Sequence, residues 1–206
     1  MSDKKVIVGY AGHGFVVAEA AISSKMNLQY YAEIREVASN PFKLTYIGFE
    51  GDDLFKGWNF SYDFILGIGD NQLREKIATL ILQKNKNILN VFHPSASIAK
   101  SIQIGKGNFI ARNVAINPLA EIEDFCILNT GSIIEHECII KTAAHIAPGA
   151  VLAGNVTIGE RTFIGANSVV KQGVTIGKDV VIGAGSVVLT DVPDYSKLVG
   201  NPARTL

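Results

Sequence analysis

The side chains best suited to proton chemistry lie together at Glu135-His136-Glu137. Imidazole titrates near neutrality, and a carboxylate beside it raises its basicity and fixes its tautomer. A histidine so placed suits the removal of a proton from an attacking amine or hydroxyl. The plainer reading is a solvated histidine on a surface corner. His145 follows nine residues later. A different chemistry is suggested by two glycine turns, Gly9-Tyr10-Ala11-Gly12-His13-Gly14 and Gly67-Ile68-Gly69-Asp70-Asn71. A glycine turn that feeds a helix N-terminus brings backbone N–H groups close to a phosphate. The first is spaced G-x-x-G-x-G, which is not the G-x-G-x-x-G dinucleotide fingerprint, and a plain strand-to-helix turn explains it equally well. His13 either bonds a phosphate or ribose, or caps the turn.

Two kinds of element must position these groups. From Ala96 onward an aliphatic residue recurs every six positions, sixteen times without a gap, from Ile98 through Ile134, Ile140 and Ile146 to Val188. A period of six fits neither an amphipathic helix nor an ordinary strand, and marks a parallel β-helix. Gly105, Gly159, Gly165, Gly177 and Gly183 directly follow their aliphatics and are expected at tight corners with positive φ. Cys126 and Cys138 occupy the small-residue slot of the repeat and are expected to be inert core thiols. His136 falls where a rung turns a corner. It stands one and a half hexapeptides from His145, so the two fall on different rungs of the repeat.

The first ninety residues carry no repeat. KKVIVGY, LQYYAEI, YDFILGIG and NILNVF read as strands, and FVVAEAAISSK and DNQLREKIATLILQK as helices. Alternating β and α elements imply a small Rossmann-like parallel sheet. Two glycine turns at strand C-termini of one sheet favour a ligand in the crevice between them. The segment from Arg35 to Asn59 is expected to be loop-rich. The boundary is placed near Ile88 to His93, giving an α/β domain over 1–90 and a β-helix over 91–206.

Composition narrows the classes. Hydrophobic residues make up 48% and charged residues 18%, enough apolar content for a sizeable core. Lys plus Arg and Asp plus Glu both count 19, unlike the basic footprint of a nucleic-acid binder. No apolar run approaches the roughly 18 residues of a membrane span. The N-terminus lacks the apolar core of a leader, so a cytoplasmic location is expected.

The stretches NTGSIIEHECII and AAHIAPGAVLAGNVTIG, with the closing VGNPAR, resemble the hexapeptide-repeat acetyltransferases that act on nucleotide-linked amino sugars. That resemblance implies a left-handed β-helix and a homotrimer with active sites at subunit interfaces. It implies acetyl-CoA as co-substrate and no metal. The acceptor it suggests first is the 4-amino group of a UDP-linked amino-dideoxy sugar. Alternatives are a GDP- or dTDP-linked amino sugar, or O-acetylation of a sialic-acid-like sugar. By the same resemblance His136 is the general base and Glu137 its orienting partner. His145, Gly154, Ala166 and Ala184 contact acetyl-CoA, with the Gly154 N–H bonding the thioester oxygen. The nucleotide sugar is met by Gly12, His13, Gly14, Glu33, Gly69, Asp70, Asn71, Asn129 and Thr130. Arg35 and the Tyr10-Ala11 pair depart from the family's usual pattern. Two readings from other classes remain open: a metal enzyme, which would need three histidine ligands, and a non-catalytic scaffold.

Overall fold

The computed structural model describes residues 4–206 of the chain. Its N-terminal part is a parallel sheet of β1 (Lys5–Val8), β2 (Leu28–Ala32), β3 (Thr45–Tyr46), β4 (Asp63–Leu66) and β5 (Asn87–Ile88), in spatial order β3-β2-β1-β4-β5. Helix α1 (Gly12–Ser23) joins β1 to β2, and α2 (Asn71–Gln83) joins β4 to β5. The central strands KVIV and DFIL are almost continuously apolar, as a parallel sheet covered on both faces requires. Val6, Ile7, Val8 and Phe64 are fully buried. The chain runs from β1 outward to β2 on one side and from β4 to β5 on the other. The crevice at that reversal lies beyond the C-terminal ends of β1 and β4, where both glycine turns sit. The loop-rich segment holds β3 and a short 3-10 helix, Lys56–Asn59.

NILNVF, expected as one strand, is divided between two structures. Asn87–Ile88 pairs with β4, while Val91–Phe92 pairs with Phe109–Ile110 of the β-helix. From there the chain winds as a left-handed prism of two-residue strands. Up to Val187–Val188, neighbouring strands of a face are 18 residues apart, so that Ile133 faces Ala115 and Val151. The first face runs from Ser97–Ile98 to Val187–Val188, the second from Gln103–Ile104 to Thr175–Ile176, and the third from Val91–Phe92 to the C-terminal strands. The second residue of each strand points inward, and Ile134, Ile140, Ile146, Leu152 and Ile158 are all fully buried. Cys126 and Cys138 lie in this core, and burial pushes the Cys126 thiol up to about 12.

The positive φ expected directly after the aliphatics falls two residues later instead. The left-handed slot recurs at Asn113, Leu119, Phe125, Gly131, Glu137 and onward every six residues to Gly185. Gly105, Gly159, Gly165, Gly177 and Gly183 are glycine for a different reason, the close approach of the next coil. A Cβ on Gly159 would lie 2.4 Å from the carbonyl carbon of Gly177.

The outward residues give each face its own character. On the third face Phe109, Ile127 and His145 are buried, with the His13 ring of the α/β domain edge-on to Phe109 at 5.6 Å. The second face presents Gln103, Glu121, Ile139, Thr157 and Thr175. The first presents Ser97, Ala115, Ile133, Val151, Val169 and Val187, an almost wholly apolar row that is partly exposed in the protomer.

Candidate active site

His136 stands on the edge between the first and second faces. The repeat's corner turns its side chain outward, and it is 51% exposed. Its Nδ1 lies 3.0 Å from Glu137 Oε2. An ionised carboxylate only accepts, so the proton is on Nδ1 and the lone pair on Nε2. Glu137 occupies the left-handed slot with φ 61. That is the backbone that aims its carboxylate at the neighbouring ring, and it disfavours any side chain with a Cβ.

One coil further along the same edge is Gly154. A Cβ there would fall 2.5 Å from both Cε1 and Nε2 of His136, so the imidazole lies against a bare backbone. The inter-coil ladder uses the N–H of Ala153 and of Asn155 on either side but passes over that of Gly154. It likewise passes over the N–H groups of Ala166 and Ala184 while using those of Gly165, Asn167, Gly183 and Gly185. These amides are thus outside the backbone ladder among the described residues. Ala166 and Ala184 occupy the edge between the third and first faces, as do Asn129 and Thr130. Within one protomer that edge is not the one that carries His136 and Gly154.

His145 lies on the third face and is only 8% exposed. Its Nε2 is 3.2 Å from Asn129 Nδ2, which donates to it. Phe163 stacks edge-on at 5.0 Å and His13 lies 6.2 Å away, ring to ring. Burial, then the Arg74 charge, then His13 push His145 down to about 3. Burial and then Arg74 push His13 down to about 4. Both rings are therefore neutral at physiological pH. The Thr130 N–H donates to Asn129 Oδ1 at 2.8 Å, which fixes the amide that faces His145.

A cavity of about 710 Å³ opens at the crevice of the α/β domain, lined among others by Gly9, Ala11, His13, Gly14, Glu33 and Gly69. Helix α1 begins there with no side-chain cap on its first N–H groups. A Cβ on Gly14 would lie 2.1 Å from the Gly9 carbonyl oxygen, so the turn closes only on glycine. Glu33 Oε2 accepts from the Tyr10 N–H at 3.0 Å, which ties the end of β2 to the first glycine turn. Asp70 also lines the cavity, and its side chain caps α2 by accepting from the Leu73 N–H at 2.8 Å. Asn71 is engaged elsewhere: its Nδ2 donates to the Arg161 carbonyl at 2.8 Å and its Oδ1 accepts from Arg74. Gly12 opens α1, and Arg35 is exposed.

Two residues that the sequence reading passed over stand out here. Glu50 lines the cavity, is 6% exposed, and burial raises its carboxyl above the usual range. Arg74 is fully buried on α2 between the two domains. Neither carries a pattern: Glu50 sits in an unpatterned loop, and Arg74 looks like one more charge on an amphipathic helix. Among the described residues no three His, Cys, Asp or Glu side chains gather in a metal-binding arrangement. No helix among them is long and apolar enough to cross a membrane.

Comparison with known proteins gives this geometry a family. Residues 4–81 match the PglD N-terminal domain and residues 155–190 the hexapeptide repeat of succinyl-transferase. The chain superposes on perosamine N-acetyltransferase from Caulobacter crescentus, a histidine variant in complex with CoA and GDP-perosamine, with TM-score 0.93 and 33% identity over 98% of this chain and 96% of that one. It superposes equally on the acetyltransferase domain of PglB from Neisseria gonorrhoeae FA1090, in complex with acetyl coenzyme A, with TM-score 0.93 and 30% identity over the full length of both chains. The GDP-perosamine N-acetyltransferase of Escherichia coli O157:H7 is 32% identical over 103 residues, which is 50% of this chain and 47% of that protein. The alignment thus spans about half the length of that curated relative. With a parallel-sheet domain in front of a hexapeptide prism, and near-full-length likeness at 30–33% identity, the chain belongs to the hexapeptide-repeat family of nucleotide-amino-sugar acetyltransferases.

Proposed function

We propose that this protein moves the acetyl group of acetyl-CoA onto the amino group of a GDP-linked amino-dideoxy sugar, working in the cytoplasm. The observation that carries the reading is the His136–Glu137 pair set against the unladdered Gly154 N–H on one edge of the prism. The amine nitrogen attacks the thioester carbon while His136 Nε2 accepts its proton, with Glu137 stabilising the imidazolium. The Gly154 N–H donates to the oxyanion that forms. The C–S bond then breaks and the CoA thiolate takes the proton back from His136. No covalent acyl-enzyme is needed. The nucleotide binds in the crevice of the α/β domain, with its phosphates at the N-terminus of α1 and its ribose near Glu33.

UDP was the first expectation from the sequence. The comparisons support the GDP alternative better, because the relatives at 30% identity or more that name a nucleotide name GDP-perosamine. The position acetylated is taken as the 4-amino group, in line with the family resemblance. A homotrimer is part of the proposal. The row Ala115, Ile133, Val151, Val169 and Val187 is an apolar face suited to burial against a neighbouring prism. Such packing would bring the His136 edge of one subunit toward the His145 and Asn129 edge of the next.

The test is purified protein with acetyl-CoA and a panel of GDP-, UDP- and dTDP-linked 4-amino sugars, plus a sialic-acid-like acceptor. Acetylation of the GDP-linked amine with at least tenfold higher kcat/KM than the UDP-linked amine is expected. Preference for UDP, or acetylation of the hydroxyl acceptor alone, overturns the reading. Sedimentation of the same preparation is expected to show a trimer, and a fully active monomer would remove the shared-site arrangement.

A further inference from the structure

Arg74 is the largest fully buried side chain outside the apolar core, and all its recorded hydrogen-bond acceptors are neutral. On the β-helix its Nε donates to the Phe125 carbonyl at 2.7 Å and its Nη2 to the Ala143 carbonyl at 2.6 Å. On the α/β domain its Nη1 donates to the Gly69 carbonyl at 3.0 Å and its Nη2 to Asn71 Oδ1 at 2.9 Å. Phe125 and Ala143 hold the same left-handed corner on successive coils, with φ of 60 and 57. One planar fork therefore spans two coils of the prism and the second glycine turn. No carboxylate among the described residues lies within ion-pair distance of it.

Asp70 and Glu75 offset the Arg74 charge only from beyond ion-pair distance. A cation buried without a direct ion pair is costly, and an apolar residue would hold two domains together at less expense. The arrangement is better explained by what it fixes. Gly69 lines the nucleotide cavity, and Ala143 stands two residues before His145. We propose that Arg74 is a positioning residue, whose buried guanidinium registers the Gly69–Asn71 turn against the coil carrying His145 and so sets where the sugar lies relative to that coil. The proposal rests on the functional reading above only in identifying the cavity ligand as a nucleotide sugar.

The two histidines beside Arg74 support it. Its charge, added to burial, keeps His145 and His13 unprotonated. A neutral His145 can accept from Asn129 through Nε2, which an imidazolium cannot. The Gly69 backbone is near enough to His145 to oppose that effect in part, although His145 Nδ1 makes no hydrogen bond of proper geometry among the described residues. Gly69 is thus common to the cavity wall, the Arg74 fork and the surroundings of His145. Lysine would restore the charge but not the fork, which separates the two contributions.

The test uses Arg74→Lys and Arg74→Met in the full-length protein, read by substrate kinetics, by direct GDP titration and by NMR titration of the histidine ring protons. Arg74→Lys is expected to raise KM for the nucleotide sugar, and Kd for GDP, by about tenfold or more. KM for acetyl-CoA should stay within about twofold and the His13 and His145 titrations unchanged. Arg74→Met is expected to weaken GDP as much and, in addition, to move both histidine titrations upward, by less than burial moves them down. If Arg74→Met does not fold, Arg74→Lys alone decides the matter. Wild-type GDP affinity in Arg74→Lys, or unmoved histidine titrations in folded Arg74→Met, overturns the proposal. The GDP and NMR readouts need no acetyl transfer. Failure of the acetyltransferase reading would instead show as an inactive wild-type enzyme.

Discussion

The β-helix and the α/β domain present their candidate functional residues in opposite ways. In the prism every position has counterparts in successive coils, so each slot carries its own standard. His136 and Glu137 are conspicuous because the equivalent positions one coil on are Gly154 and Asn155. The α/β domain offers no such background. Its working residues sit in turns and on a helix face, and only the glycines announce themselves. A repeat thus exposes chemistry as departure from a slot, whereas a single-copy sheet hides it in geometry. The substitutions below probe that contrast.

The largest effect is expected at His136. His136→Ala should lower kcat by on the order of 10²–10⁴-fold, the usual scale for a general base, with little change in thermal stability because the ring is half exposed. A loss of less than about threefold would make this departure from the repeat an ordinary solvated corner. Gly154→Ala is the next step down. Its Cβ would sit 2.5 Å from the His136 ring, which must swing aside. A loss of roughly 10–10²-fold in kcat is expected, with the midpoint of melting shifted by no more than a few degrees. An unaffected kcat would show that the ring works from another position.

Glu137 should separate function from stability. Its φ of 61 is the conformation in which the repeat elsewhere places glycine, asparagine or aspartate, among other residues. Glu137→Asn puts a residue tolerant of that backbone in the slot and removes the carboxylate that orients His136. Stability should rise by a few tenths to about 1 kcal/mol, while kcat falls by about tenfold. Denaturant unfolding and steady-state kinetics on the same preparation check the two signs. If both fall, the Glu137 side chain carries structure that its exposed position does not suggest.

The same contrast explains what was legible in the sequence. The sixteen aliphatics specify a period-six parallel β-helix and its inward face, because each has one place to go in the repeat, while the three-sided, 18-residue coil came with the family resemblance. The cysteines and the outward turn of His136 followed from slot position. The glycines after the aliphatics were misjudged, since sequence shows that a Cβ is absent but not whether φ or the next coil demands it. In the α/β domain the two glycine turns located the crevice through strand–turn–helix order alone. Asn71, placed on the ligand side by motif, instead spends its amide on Arg161 and Arg74. Glu50 and Arg74 were invisible because burial of a charge depends on the other domain, and no local pattern records where that domain docks.

The last effect concerns the seam where the two regions meet, and it appears in stability with no change in rate required. Burial first, then Arg74, holds His13 near 4 and His145 near 3, both below the ordinary histidine value of about 6.5. Below pH 6.5 the unfolded chain takes up protons that the folded chain refuses, so unfolding is favoured as pH falls. The loss continues until the folded rings themselves titrate, near 4 for His13 and 3 for His145. By pH 5 it should reach roughly 2 kcal/mol per histidine. For a chain of this size that corresponds to a melting point lower by on the order of 10 °C than at pH 7. His145→Asn removes one of the two groups and should therefore shrink the pH dependence by about half, whatever it does to stability at pH 7. Carboxylates whose pKa values burial or ion pairing shifts add their own slopes, but these are common to both proteins and cancel in the difference. Melting curves from pH 7 to pH 5 on the two proteins measure it. Parallel curves would mean that the seam admits water to His145, and that its proton state is set by solvent instead of by the docked domain.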